Sequence, residues 1–165
     1  MQWIRRFFVV AVIASALIAT HAQDQPKKAA PRFGFDVDEL TYSQKTPDET
    51  MKSIAKALDR KKADYLLAHI ADPLYVDYWI NQYKKDFTKG KEQGKELLAF
   101  DRLVGEANLY FQNDPLIIRD LRVFSREGKW EEKDDLAIGT ADSIPARKVF
   151  LRKMGDRWFL ENKQQ

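Results

Sequence analysis

The chain has 165 residues, with 28 Lys and Arg against 25 Asp and Glu, two histidines and no cysteine. The lack of cysteine excludes disulfides, thiol catalysis and Cys-ligated zinc. Residues 1–22 hold two arginines and no acid, so the remainder carries 26 basic and 25 acidic residues, and the formal charge of +3 falls to +1; nucleic-acid binding has no electrostatic support.

Arg5 and Arg6 precede an unbroken apolar and small-residue run from Phe7 to Ala19, and Thr20-His21-Ala22 places small residues at −3 and −1 of a cleavage site before Gln23. This pattern predicts a secretory signal peptide over 1–22. The apolar run is shorter than the roughly 20 residues that span a bilayer, so no stable membrane insertion is expected after cleavage; a retained anchor is the alternative. Ile4-Arg5-Arg6-Phe7-Phe8-Val9 partly resembles a twin-arginine signal, but ordinary export is the expected route. The expected localisation is therefore periplasmic or secreted.

Gln23 to Arg32 is polar and proline-containing and reads as a linker. Phe33, Phe35 and Val37 alternate with Gly34, Asp36 and Asp38, which predicts an extended segment laid on the domain. Residues 23–45 are thus linker and extended segment, and 46–165 a single domain. Thr46-Pro47-Asp48-Glu49 opens a helix as a capping box with proline at the first turn. Met51, Ile54, Ala55 and Leu58 share one face of it, and Ala63, Leu66, Leu67 and Ile70 repeat the spacing in a second helix. Asp72-Pro73 starts a third, with Val76, Ile80, Tyr83 and Phe87 on one face. A fourth carries Leu97, Phe100, Val104, Ala107 and Phe111. Asp114-Pro115 opens a fifth, with Ile117, Leu121 and Phe124 inward and Gly128 at its end.

Beyond Gly128 the period becomes two. Trp130, then Leu136 and Ile138, then Val149 and Leu151, then Trp158 and Leu160 mark four strands. A Met154-Gly155 turn in the last hairpin pairs Leu151 with Trp158 and Val149 with Leu160, and sets Arg152 opposite Arg157. The fold class is α+β: N-terminal helices packed on a C-terminal antiparallel meander of about four strands.

The opening TPDETMKSIAKALDRKKADYLLAHIADP (46–73) and the closing RKVFLRKMGDRWFLEN (147–162) resemble the nuclear transport factor 2-like superfamily. The resemblance covers about a quarter of the chain. It implies helices packed into a curved antiparallel sheet to form a cone, which in that superfamily holds a ligand, a catalytic site or nothing. The chain departs from the pattern in reading as helical from Leu74 to Phe111, where the superfamily inserts strands. No catalytic residue is carried over.

Few residues offer chemistry. His69 is the one histidine left after cleavage, so a multi-histidine metal site is impossible; off the centre of its helix face, it reads as a boundary residue with a local hydrogen bond. Glu131, Glu132, Asp134 and Asp135 lack the glycine spacing of a calcium loop and include Lys133, which predicts a solvated strand and turn. The lysines from Lys84 to Lys95 are diluted by acids and read as a solvated loop. Tyr75, Tyr78, Trp79 and Tyr83 form an aromatic cluster on the third helix, suited to ligand or protein contacts as well as to packing. No metal or cofactor is expected. The leading expectation is an exported non-enzymatic domain that binds a small ligand or an envelope protein through Tyr75, Tyr78, Trp79, Tyr83 and His69. The alternative is a small cyclase- or isomerase-type enzyme with a pocket between helices and sheet.

Overall fold

The computed structural model describes residues 30–162. The expected signal peptide and the linker up to residue 29 lie outside them. Five helices precede a four-stranded antiparallel sheet, an α+β architecture. In chain order these are α1 (Pro47–Asp59), α2 (Ala63–Tyr65) continued by a π-turn (Leu66–Ile70), α3 (Pro73–Tyr83), α4 (Glu92–Asn113) and α5 (Pro115–Glu127). The strands β1 (Lys129–Lys133), β2 (Leu136–Thr140), β3 (Val149–Met154) and β4 (Arg157–Leu160) pair in sequence order.

The helix starts follow their capping residues. Thr46 Oγ1 accepts from the Glu49 amide at 3.2 Å, with Pro47 in the first turn. The capping box is nevertheless incomplete, because the Glu49 carboxylate accepts from Ser43 Oγ at 2.6 Å and ties the incoming chain down. Asp72 and Asp114 cap α3 and α5 through the amides of Leu74 and Leu116. Gly128 ends α5 in an extended conformation rather than a left-handed one.

The second helix departs from the α-helical pattern. The Ala71 amide donates to the Leu66 carbonyl at 2.8 Å, five residues back, and Leu66 to Ile70 form one π-turn. All five of its residues are buried, where an amphipathic helix exposes one face. The other face is covered by the segment before α1. There the expected extended run is instead a two-residue turn: Arg32 and Phe35 exchange backbone hydrogen bonds at 2.9–3.0 Å around Phe33 and Gly34, both with positive φ. The turn sets the Phe33 ring flat on Phe100, centroids 4.2 Å apart, with Phe35 at 6.0 Å. Arg32, placed in the linker by its composition, donates to the carbonyls of Ala68 (3.4 Å) and Pro73 (3.2 Å) and pairs with Asp77.

The last hairpin corrects the expected register. Leu151 faces Leu160, Lys153 faces Trp158, and Met154 faces Arg157. The turn is therefore Gly155-Asp156. Gly155, at φ 65, takes the left-handed position that a Met154-Gly155 turn gives to a bulky side chain. The two-residue shift keeps every side chain on its expected face but separates Arg152 from Arg157. Arg152 pairs with Glu161 at 2.7 Å, and Arg157 runs beneath the helices. The β4 edge is closed by Gln44, whose carbonyl accepts from Trp158 N (2.8 Å), and by Asp72, whose amide donates to Leu160 (2.8 Å). The free edge, β1, carries Lys129, Glu131, Glu132 and Lys133, all exposed, which discourages pairing with another strand.

Two apolar clusters fill the domain. One joins α1, the Leu66 and Ile70 side of the π-turn, Phe124 of α5 and the inner sheet face of Ala137, Val149, Leu151 and Trp158. The other joins α3 and α4 to the Leu67 and Ala68 side of the same turn. The π-turn is thus a partition, and on one side of it the two clusters do not merge.

Candidate functional site

Where the clusters part, a cleft of about 340 Å³ opens between the helices and the sheet. Leu66, Leu67 and Ala71 form its wall on the π-turn side. Tyr110 and Phe111 from α4, and Ile117 and Leu121 from α5, form the opposite wall. Val149, Phe150 and Leu160 contribute the sheet side, with Lys148 and Glu161 adding polar groups. A second cleft of about 360 Å³ shares Leu67, Tyr75, Tyr110 and Asn162 with the first and runs on between α3 and α4. Trp79, Tyr83, Leu103, Glu106 and Ala107 complete it. Each volume falls in the range of small-molecule sites, roughly 300–1,000 Å³.

The structure brings together three of the five residues singled out by sequence. Tyr75, Trp79 and Tyr83 follow one another at four-residue spacing along α3 and all line the second cleft. The Trp79 ring stands nearly edge-on to Tyr75 (6.4 Å, 72°) and tilts 34° from Tyr83 at 5.5 Å. Tyr78 is 56% exposed and packs edge-on against Trp79 at 5.4 Å, and it lines neither cleft. The Tyr83 hydroxyl donates to Glu106 of α4, and the Arg102 guanidinium lies 4.2 Å over the Tyr83 ring. Burial first, and then the Glu106 carboxylate, push the Tyr83 phenol up to about 12.

His69 lies elsewhere. It is 4% exposed and belongs to neither cleft lining. Its Nε2–H donates to the Phe35 carbonyl at 2.8 Å, and Tyr65 packs against the ring at 5.0 Å. Burial lowers its pKa, the Phe35 hydrogen bond opposes that, and Arg157 and Arg32 lower it further. The expected boundary position with a local hydrogen bond is corrected: His69 is buried, its partner Phe35 lies 34 residues away in the chain, and the ring lies outside both clefts. The fold therefore favours neutral His69. Protons taken up by an unfolded histidine, near pH 6.5, are refused by the folded one. Stability from this group is complete above about pH 6.5 and is lost as pH falls from there toward the lowered folded value. Thermal unfolding between pH 7.5 and 5 is expected to fall more steeply in the wild type than in His69→Gln, which keeps a donor for Phe35 but takes no proton. Parallel curves for the two proteins contradict this.

No family model, curated protein or solved structure matches this chain. Among the described residues no helix is long and apolar enough to cross a membrane, and no group of three His, Cys, Asp or Glu side chains is placed to hold a metal. The acidic run from Glu131 to Asp135 is exposed along β1 and its turn, with Asp134 at φ 55.

On α4 the expected inner face holds in part: Phe100 is buried, Val104, Ala107 and Phe111 pack against the two clusters, and Leu97 is exposed. The apolar pattern does not mark Leu103, Glu106 and Tyr110, which line the second cleft with Ala107. Their three- and four-residue spacing marks one helix face, but it mixes an acid and a tyrosine with apolar residues and so falls outside an apolar-stripe search.

Proposed function

We propose that this is an exported binding domain that takes a small molecule with an apolar part into the cleft between its helices and its sheet. The observation that carries this reading is the seam itself: two apolar clusters that part around a cavity lined by Leu66, Leu67, Phe111, Ile117, Leu121, Val149 and Leu160. An open, mainly apolar cleft of this size with a few polar groups at its edge has the shape of a small-molecule site. The nuclear transport factor 2-like resemblance supports the same location, since that superfamily holds its ligands between helices and sheet. Binding is favoured over a cyclase- or isomerase-type reaction because the ionisable side chains along the clefts are largely committed, Tyr83 and Glu106 to each other and Glu161 to Arg152. The apolar lining also favours a small ligand over an envelope protein.

Isothermal titration with a neutral alkyl probe, decyl maltoside below its micelle concentration, tests the reading. Ile117 is partly buried on α5 and faces the cleft, so Ile117→Trp fills the cavity from its wall without disturbing the π-turn. The wild type is expected to bind, and Ile117→Trp to bind at least about tenfold more weakly, or about 1.4 kcal/mol, with an unchanged circular dichroism spectrum. No binding by the wild type, or equal binding by both, overturns the proposal.

A further inference from the structure

Residues 32–38 form a strap that ties α3, α4 and the π-turn together, and His69 lies beneath it. Phe33 and Phe35 pack on Phe100 of α4. Arg32 donates to the Pro73 carbonyl and pairs with Asp77 of α3, and it also meets the Ala68 carbonyl of the π-turn. The Asp38 amide donates to the Tyr65 hydroxyl at 2.9 Å. The tied elements are also the walls of the clefts. Leu66 and Leu67 of the π-turn line the first, and residues of α3 and α4 line the second together with Leu67.

The space under the strap is unsuited to a cation. The Phe35 carbonyl accepts from His69 Nε2–H at 2.8 Å, so the proton that charges the ring goes to Nδ1, which has no partner among the described residues. Arg157 of β4 donates to the His69 carbonyl at 3.0 Å, and Arg32 of the strap to the adjacent Ala68 carbonyl at 3.4 Å. An imidazolium is thus a third cation beside two. Tyr65, one turn back, packs its ring on His69 at 5.0 Å and is held neutral by burial. Asp36, on the strap, opposes the two arginines. His69 is 4% exposed, so hydrating a charged ring requires one neighbour to withdraw. β4 is paired in the sheet, and the π-turn is buried between two clusters. The strap lies outside the helices and strands and holds Phe33 at φ 51, a strained conformation. Such a segment opens before the elements it covers.

We propose that residues 32–38 are an acid-released strap: protonation of His69 lifts them from α3, α4 and the π-turn, and thereby opposes ligand binding in the clefts that these elements wall. The coupling to ligand rests on the binding function proposed above; the release itself does not. His69 is the one histidine among the described residues, and histidine is the side chain whose ordinary pKa falls between pH 5 and 7.5. In water, at a pKa near 6.5, it favours its charged form by about thirtyfold at pH 5, which is the upper limit of the gain in strap opening. By reciprocity, a ligand that needs the closed walls resists the proton.

Amide hydrogen exchange, corrected for its intrinsic pH dependence, tests this on the folded protein. The Phe35 amide donates to the Arg32 carbonyl at 2.9 Å and reports the strap; the amides of β3 report global unfolding. Between pH 7.5 and 5, Phe35 protection is expected to fall at least about fivefold more than that of β3. His69→Gln keeps a donor for Phe35 and takes no proton, and is expected to lose this difference. Asp77→Asn weakens the strap at its α3 end; it is expected to lower Phe35 protection at pH 7.5 and to keep the pH dependence. Saturating decyl maltoside is expected to raise Phe35 protection and to lower the His69 pKa in an NMR titration. A Phe35 amide that follows β3 at both pH values, or that loses as much protection in His69→Gln, overturns the proposal. Decyl maltoside that binds without changing Phe35 protection overturns the coupling to the clefts. Failure of decyl maltoside to bind at any pH removes the binding function and the coupling with it, while the exchange comparison still decides the strap.

Discussion

Phe100→Ala is expected to destabilise the domain by about 3–5 kcal/mol and to release the turn around Phe33 and Gly34. Phe100 is 2% exposed in the middle of α4. Its ring is the platform for Phe33, stacked at 4.2 Å and 14°, and for Phe35 at 6.0 Å. Phe33 has φ 51, a left-handed conformation disfavoured for a bulky side chain, and it persists because the stacked ring offsets the strain. Removing the platform thus leaves a cavity under α3 and α4 and also removes the reason for the turn. Urea unfolding measures the first effect. Trypsin cleavage at the Arg32–Phe33 bond measures the second, since the wild type holds Arg32 on Ala68, Pro73 and Asp77. A loss under about 1 kcal/mol with Arg32 still protected shows that those contacts hold the turn alone.

This dependence explains part of what sequence reading saw and missed. The periodicity of Met51, Ile54 and Leu58, of Val76, Ile80 and Tyr83, and of the four strands is local, and each of those elements forms where its pattern places it. Phe33 and Phe35 alternate in sequence as a strand does, but their conformation is set by Phe100, 67 and 65 positions away in the chain. Gly155 contains the information for the hairpin register, because a positive φ at the first turn position suits glycine and not methionine.

The candidate site divides along the same line. Tyr75, Trp79 and Tyr83 repeat every four residues, so their common face on α3 is legible. The cleft that they border is not, because it depends on how α4 lies against α3, and a cleft has no sequence signature. Glu106 and Tyr110 become part of the site only through the packing of α4 against α3. The π-turn is similarly hidden: Leu66 to Ile70 satisfy an α-helical pattern, and nothing in their spacing marks the hydrogen bond from the Ala71 amide five residues back to Leu66.

That helix end gives the second large effect. Arg157→Met is expected to destabilise the domain by about 1–3 kcal/mol for each of two acceptors left without a donor. The His69 carbonyl lies in the last turn of the helix, where carbonyls lack intrahelical partners. Pro73 has no amide hydrogen, and the Leu74 amide is taken by Asp72. The Arg157 guanidinium reaches from β4 to fill the vacancy, donating to the His69 carbonyl at 3.0 Å and to the Gln44 side chain. Arg32 does the same for Ala68, so two cations meet the negative end of one helix dipole. Arg157 bears a desolvation penalty there, which lowers its pKa; methionine removes that penalty but offers neither acceptor a proton. Arg157 also lowers the pKa of His69, so the variant is expected to raise it. Chemical unfolding at pH 7.5 reports the lost caps, and an NMR titration of the His69 ring reports the lost charge. Unchanged stability with a raised His69 pKa means that the guanidinium acts on His69 through its field alone, and that water supplies the two hydrogen bonds in its place.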